Sequence, residues 1–249
     1  MKIYLLLALS LVSETLYAQC RPANEAENQA YNRIVQALQS QFTTKTPTGE
    51  WRVFDEKHSM GSLEVTSEWG GFVHLCSDRY DLTIERTTIA TARQAMVDTT
   101  RLATTTPPSL YVHRDTMYHA NPEAAAKNAQ NIYTVSVEMN LGNYRLQDTE
   151  SARIVTTSEI IQVAGSTLAL EVTLKPDLAG AAPRQETVVL LGGWNLKPVN
   201  RGTDVRYQPQ FKKGGKLFEN LVITITAPFD IARQVVKQID WQALSNSLL

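Results

Sequence analysis

The chain has 249 residues, with 25 acidic and 24 basic side chains and a formal net charge of −1, so no strong positive field would attract nucleic acid. Its 43% hydrophobic content is typical of a packed globular domain. The two cysteines lack C-x-x-C spacing, which argues against a thioredoxin-like redox site and a structural zinc site.

Residues 1–18 have the pattern of a secretory signal peptide. Lys2 supplies the positive start, residues 3–12 form a short apolar run, and Ala18 ends a plausible cleavage site. A membrane-spanning helix requires about 20 apolar residues, and no stretch of the chain approaches that length. We therefore expect a soluble mature chain over residues 19–249, secreted or periplasmic, with no membrane span.

Cys20 lies next to the start of this expected mature chain. Attachment of a lipid to an N-terminal cysteine requires a small residue before it, so Gln19 argues against lipid anchoring. In an oxidising compartment, Cys20 would instead form a disulfide with Cys76, the only other cysteine. Closing this long loop would contribute roughly 4 kcal/mol in the chain-entropy model.

An amphipathic helix is predicted over residues 24–42. Tyr31, Ile34, Leu38 and Phe42 fall on one helical stripe, and Asn or Gln occupies much of the remaining surface. The stripe is no wider than packing on a sheet requires, which favours a core helix. The alternative is a helix that binds a partner.

Four short strand patterns follow this helix. Turn signals at residues 70–71 and 77–78 join them through short connections, which link antiparallel neighbours, so we predict a meander. In the last strand Tyr80, Leu82 and Ile84 would face the core. The predicted strands cover residues 51–54, 63–69, 72–76 and 80–86.

Residues 87–108 are rich in threonine and end in two prolines, which predicts a break. The mature chain is predicted to be one domain, and a subdomain boundary, if there is one, lies near residues 103–109. The other elements predicted around this break are a weak helix over 89–102, a strand over 110–113 and a helix over 122–130.

Two hairpins are predicted in the second half of the chain. In the first, alternating apolar residues over 133–141 lead through a Gly-Asn turn to a return strand that begins at Tyr144. In the second, a Gly-Ser turn at 165–166 joins a strand that ends near Val163 to one that begins at Leu168.

The C-terminal part completes the predicted fold. Residues 187–191 form a continuous apolar run, typical of a central strand buried on both sides. Residues 221–227 alternate as a half-buried strand, Asp230 would cap a following helix, and Asp240 would cap a short final one. The predicted class is α+β, a largely antiparallel sheet of seven to ten strands with the N-terminal and C-terminal helices packed on one face.

Residues 194–218 are the best candidate for a ligand-binding surface. This long connection is basic and aromatic, with Asp204 as its single acid, so it could hold an anionic or carbohydrate ligand. The alternative is a solvated β-hairpin without a ligand. The candidate binding residues are Trp194, Arg201, Arg206, Tyr207, Lys212, Lys213 and Lys216.

A catalytic alternative rests on His113, Asp115 and His119, which place two imidazoles and a carboxylate close together in sequence. Such residues could serve a hydrolase, but their spacing matches no established metal motif. No G-x-S-x-G nucleophile elbow or dinucleotide-binding glycine pattern is present either. We therefore predict no metal and no cofactor.

These observations favour a non-enzymatic binding or interaction module of the cell envelope. Its partner would be an anionic or carbohydrate envelope ligand or another protein, and not a nucleic acid. Two alternatives remain open, which are the hydrolase and a structural component of an envelope assembly. A concave apolar face of the sheet left open by the helices would favour a carrier of a small ligand or a lipid, and an exposed flat apolar patch would favour assembly.

Overall fold

The computed structural model of the protein describes residues 20–43, 50–58, 64–68, 72–75, 80–88, 131–149, 151, 153–176, 183–211 and 218–248. The helices in these parts are α1 (Glu25–Phe42), α2 (Phe229–Gln238) and α3 (Trp241–Asn246). The strands are β1 (Arg21–Pro22), β2 (Trp51–Lys57), β3 (Glu64–Glu68), β4 (Phe72–Leu75), β5 (Tyr80–Arg86), β6 (Ile132–Met139), β7 (Tyr144–Gln147), β8 (Val155–Ile161), β9 (Leu168–Leu174), β10 (Arg184–Gly192), β11 (Val199–Arg201), β12 (Asp204–Tyr207) and β13 (Asn220–Thr226).

Seven strands form the main sheet, in the order β2-β5-β6-β13-β10-β9-β8, and every neighbouring pair is antiparallel. The other strands form two smaller sheets, β1-β3-β4 and β11-β12-β7. As predicted, β10 is central, and residues 187–191 are fully buried. The α+β class with a largely antiparallel sheet is confirmed.

The helices cover one face of the main sheet, here called the helical face, and close the larger hydrophobic core. Asn24 starts α1 with a capping box, in which its Oδ1 accepts from the Glu27 amide at 2.9 Å and Glu27 Oε2 accepts from the Asn24 amide at 2.7 Å. On the apolar stripe, Ile34, Leu38 and Phe42 are each 0% exposed. The stripe is therefore core, and it is not available as a partner-binding surface.

The C-terminal helices complete this layer. Pro228 occupies the N-cap of α2 and no side chain caps the helix, so the prediction of Asp230 as its cap is wrong. Asp230 lies one position inside the helix, where its charge favours the helix dipole. Asp240 does cap α3, because its Oδ1 accepts from the Ala243 amide at 2.9 Å.

The opposite face, here called the outer face, carries a second and smaller core. The three-stranded sheet β11-β12-β7 packs there, over β9, β10 and part of β13. Val222 of β13 is 0% exposed in this core, so β13 is more deeply buried than a half-buried strand. The main-sheet side of the core also includes Leu168, Leu170, Val172, Leu174, Val188 and Leu190.

Two of the predicted strand pairings are wrong. The strands from β2 to β5 are not a meander, because β3 and β4 pair with each other and with β1, while β2 pairs with β5. The predicted first hairpin does not form either, because β7 leaves the main sheet and pairs with β12. Asn140, with a φ of 51°, lies at the point where the chain turns away from β6.

The second predicted hairpin, β8 to β9, is confirmed. Gly165 in its turn has a φ of +86°, and a Cβ there would lie 2.6 Å from the Gln242 amide nitrogen. Glycine is therefore required at this position for two reasons, which are the positive φ of the backbone and the close approach of α3. This contact holds the tip of the hairpin against the C-terminal helix.

Several predictions lie outside the described residues. They are the signal peptide, the helix over 89–102, the strand over 110–113, the helix over 122–130 and the boundary near 103–109. Cys20 is not a free thiol in the structure. Cys76 lies outside the described residues, so its pairing with Cys20 stays a prediction.

Candidate functional site

The two aromatic residues among the candidate binding residues, Trp194 and Tyr207, are part of the outer-face core. Trp194 is 3% exposed and its indole N–H donates to the Leu191 carbonyl at 3.0 Å. Tyr207 is 4% exposed, and its burial raises the pKa of the phenol. Their role in the structure is to pack β12 and the connection after β10 onto the main sheet.

Of the candidate basic residues of the same segment, the structure describes Arg201 and Arg206. Arg201 is exposed at the end of β11. Arg206 forms an ion pair with Asp204, from Nη2 to Oδ2 at 2.8 Å, and this hydrogen bond lowers the pKa of Asp204. Arg201 and Arg206 both lie in the β11–β12 hairpin. Three further members, Lys212, Lys213 and Lys216, lie outside the described residues, so ligand binding by this segment stays a prediction.

The three residues of the catalytic alternative, His113, Asp115 and His119, also lie outside the described residues. The hydrolase therefore stays a hypothesis. Within the described residues, no group of three or more His, Cys, Asp or Glu side chains could hold a metal ion.

Strand register places polar side chains side by side on the part of the outer face that the described part of the smaller sheet does not cover. One cross-strand row runs from β2 through β5 and β6 to β13 and contains Lys57, Asp81, Ser136 and Thr224. The adjacent row continues to β10 and contains Asp55, Thr83, Thr134, Thr226 and Glu186. These nine residues, with Glu138 and Arg184, are here called the polar face.

The polar face lines a cavity of about 540 Å³. Four carboxylates and two cationic side chains surround it, so its formal charge is −2 with all groups ionised. Five hydroxyl groups, which can both donate and accept hydrogen bonds, lie among them. One is already oriented, since Ser136 Oγ donates to Asp81 Oδ1 at 2.6 Å. The cavity therefore suits a ligand with positive charge and several hydrogen-bonding groups.

A second cavity of about 420 Å³ adjoins the first and shares Glu138 and Thr224 with it. It lies where β7 and the residues after it meet the main sheet. Arg145 and Asp148 line it and form an ion pair at 2.6 Å between Nη1 and Oδ2.

Arg153 connects the residues after β7, in the smaller sheet region, to the polar face of the main sheet. Its Nη2 donates to Tyr144 Oη at 2.9 Å and to Glu186 Oε2 at 2.7 Å, and its Nε donates to the Leu146 carbonyl at 3.0 Å. Glu186 also forms an ion pair with Arg184, 3.0 Å from Nε to Oε1. Burial raises the pKa of Tyr144, so its hydroxyl stays neutral and accepts from Arg153. The network attaches the smaller sheet to the main sheet and fixes one wall of the site.

Sequence reasoning did not identify the polar face. The alternation of β5, β6 and β13 showed which residues share a face of the sheet. It did not show which part of that face is polar, because the same face carries a hydrophobic core over other strands. The informative signal was weak, since the residues between the apolar positions of β6 and β13 are mostly Thr, Ser and Glu instead of a mixture that includes Lys.

Comparisons with protein-family models, with curated proteins and with solved structures give no match for this chain. Among the described residues, no helix has the length and apolar character needed to cross a membrane.

Proposed function

We propose that this protein is a non-enzymatic binding module whose polar face holds an elongated ligand with several amino groups, such as a polyamine or a lysine-rich peptide segment. The observation that carries the proposal is the cavity of about 540 Å³ with four carboxylates, two cations and five hydroxyls. Carboxylates attract ammonium groups, and hydroxyls and carboxylates together accept the N–H donors of such a ligand.

The shape of the site supports an elongated ligand. The polar rows cross β2, β5, β6, β13 and β10, and strand spacings of about 4.8 Å give a length of about 19 Å. Charges along this length are spread over strands, because Asp55, Asp81 and Glu138 belong to β2, β5 and β6, whereas Glu186 of β10 is buried and already paired with Arg153 and Arg184. A chain of spaced amino groups matches this distribution better than a single compact cation.

The test is fluorescence anisotropy of labelled pentalysine, with labelled pentaglutamate as the comparison probe, at low and at high salt. We expect pentalysine to bind and pentaglutamate not to bind, with affinity falling as salt rises. Glu138→Gln should weaken pentalysine binding by roughly fivefold, which corresponds to about 1 kcal/mol for one partly exposed charge. The matched control is Glu25→Gln, an exposed residue in the first turn of α1, which should leave the affinity unchanged.

Two results would contradict the proposal. One is equal or tighter binding of pentaglutamate. That outcome would direct attention back to the basic segment, to Arg201 and the lysines after β12. The other is an equal effect of Glu138→Gln and Glu25→Gln, which would mean that any binding reflects overall charge and not the polar face.

We further propose that the protein is exported, and that it acts in the cell envelope or outside the cell. The support is the signal pattern over residues 1–18 together with the predicted Cys20–Cys76 disulfide, which would persist only in an oxidising compartment. Denaturing mass spectrometry of the exported protein is the test. The expected mass is that of residues 19–249 less two hydrogens, whereas a retained signal or an added lipid would contradict the proposed processing.

A further inference from the structure

Among the described strands, β2 and β8 are the edges of the main sheet, and they differ in how they are protected from pairing with another strand. At one edge, β2 has four charged residues out of seven and a bulge at Phe54. At the other edge, β8 has the sequence VTTSEII, in which Glu159 is the only charged residue and neither Lys nor Pro occurs. Natural sheets usually protect their edges with such charges, prolines or bulges. The bulge of β8 falls at Thr156 and leaves residues 157–161 regular.

The exposed surface of β8 is partly apolar. Its five middle residues are exposed, and Ile160 is 58% exposed. Ile160 lies opposite Leu170 of β9, whose side chain is buried in the outer-face core. The apolar surface of that core therefore continues onto the last strand of the sheet, where Ile160 extends it to the edge.

We propose that β8 pairs in antiparallel fashion with β8 of a second copy of this chain, with Ser158 at the centre. A two-fold axis perpendicular to the sheet places Ser158 opposite Ser158 of the second copy. In that register Thr157 faces Glu159 of the second copy, so a hydroxyl donor meets a carboxylate on each side of the axis. Moving the centre to Glu159 would place like charges opposite each other, which is unfavourable.

Other contacts of Glu159 agree with this register. Its neighbour on β9 is Glu171, which accepts from Arg233 of α2 through two hydrogen bonds of 2.6 Å. The charge of Glu159 also contributes to raising the pKa of Arg233, after the larger effect of Glu171. One arginine thus serves two adjacent carboxylates, and a Thr157 hydroxyl from a second copy would supply Glu159 with a further donor.

The pairing has a definite geometry. Because the axis is perpendicular to the sheet, the helical faces of both copies lie on the same side of a continuous sheet of fourteen strands, seven from each copy. Backbone hydrogen bonds along the regular part of β8 would provide the contact, and Ile160 would lose much of its exposure to water.

The first test is sedimentation velocity of the processed chain over a wide range of concentration. We expect a reversible monomer–dimer equilibrium that Ile160→Lys weakens by about tenfold or more, since the substitution acts in both copies. Phe54→Lys is the matched control, because Phe54 is 39% exposed on the opposite edge strand. It should leave the equilibrium unchanged. A monomer at every concentration, or a dimer weakened equally by both variants, would overturn the proposal.

The second test fixes the register. In Ser158→Cys the two introduced thiols would meet at the axis, so mild oxidation should give a covalent dimer in high yield. Ser40→Cys, on the exposed surface of α1, should not cross-link at the same protein concentration. Equal cross-linking of the two variants would overturn the assignment to β8. These tests need no ligand, so they are independent of the proposed binding function.

Discussion

The helical face and the outer face belong to the same seven strands but are covered differently. On the helical face, apolar side chains continue from Leu82 of β5 to Val189 of β10, and three helices cover them. On the outer face, the apolar side chains stop near Val222. From there to β2 most of the side chains are polar, and the cavity of about 540 Å³ opens over them.

The difference separates stability from the candidate function. The helical face provides most of the buried apolar area, so changes there should act mainly on the free energy of unfolding. Apart from the buried Glu186 and its partner Arg153, the polar half of the outer face should tolerate substitution with little loss of stability. Ligand binding is the function that we propose for this polar surface.

The largest effect is expected at Leu38, which is 0% exposed between α1 and the main sheet. Leu38→Ala should lower the free energy of unfolding by about 3 to 5 kcal/mol, because it removes buried methyl groups and leaves a cavity. Urea unfolding followed by circular dichroism measures this change. A loss below about 1 kcal/mol would mean that the helices contribute less to the core than their burial indicates.

The next effect tests how the smaller sheet is attached to the outer face. Arg153→Met keeps most of the side-chain volume but leaves Tyr144 and the buried Glu186 without this donor, so we expect a loss of about 2 to 3 kcal/mol. Arg184→Met is the matched control. Arg184 pairs with the same Glu186, but its side chain is 49% exposed, so its loss should cost less than about 1 kcal/mol. Equal losses in the free energy of unfolding for the two variants would show that the attachment of the smaller sheet does not depend on Arg153.

A pH-dependent effect is expected near the start of α1. Arg21 donates two hydrogen bonds to Glu27, at 2.6 and 2.8 Å, and they lower the pKa of that carboxyl group. The stability that results is present above the unfolded pKa of about 4.3 and is lost as the pH falls through the lower folded value.

Glu27→Gln keeps the capping geometry but removes the charge. At pH 7 it should cost on the order of 1 kcal/mol, since Arg21 is partly exposed. The difference from the unmodified protein should shrink between pH 6 and pH 3, as followed by urea unfolding at each pH. A difference that is constant over this range would rule out the charge as its cause.

The smallest effects come from one substitution placed on each face. Thr187 lies on the helical face at 0% exposure, and its hydroxyl has no hydrogen-bond partner among the described residues. Thr187→Val should therefore raise the free energy of unfolding by about 0.5 to 1 kcal/mol. On the polar face, Thr134→Val should change it by no more than about 0.5 kcal/mol. Thermal unfolding of both variants measures this, and destabilisation by Thr187→Val would show that its hydroxyl is satisfied.

Helices and strands in which apolar residues recur at a regular spacing were predictable from the sequence. The helix pattern over 24–42 matches Glu25–Phe42 and its Asn24 cap, and the strand pattern over 80–86 matches β5. The β8–β9 hairpin was also predictable, because the residues that specify its turn are adjacent in sequence. In each case the information lies within a few residues of the structure that it specifies.

The pairing of β6 with β13, and not with β7, depends on distant residues. The Asn140 amide donates to the Asn220 carbonyl at 3.0 Å, and Asn140 Oδ1 accepts from the Glu219 amide at 2.7 Å. Asn220 Oδ1 in turn accepts from the Leu141 amide at 2.8 Å. These buried hydrogen bonds direct the chain away from a hairpin. They join distant parts of the chain, since Asn140 and Glu219 lie 79 residues apart. A Gly-Asn turn signal cannot report such contacts.

The candidate site was unpredictable for a related reason. Trp194 and Tyr207 looked like ligand-binding aromatics because they occur in a basic, loop-like segment, and their burial depends on strands much earlier in the chain. The polar face is assembled from five strands, and its cavity exists only where the smaller sheet ends. No local pattern specifies how far that sheet extends.

The two ends of the chain meet within the helical layer. Gln41 Oε1 accepts from the Asp240 amide at 3.0 Å, across 199 residues, and the rings of Phe42 and Trp241 lie 6.2 Å apart, edge to face. The first helix therefore cannot gain these partners until nearly the whole chain has been made. Contacts so distant in sequence slow folding. During synthesis the chain would remain unfolded for longer, which is the state that the export proposed above would need for passage through a narrow translocation channel.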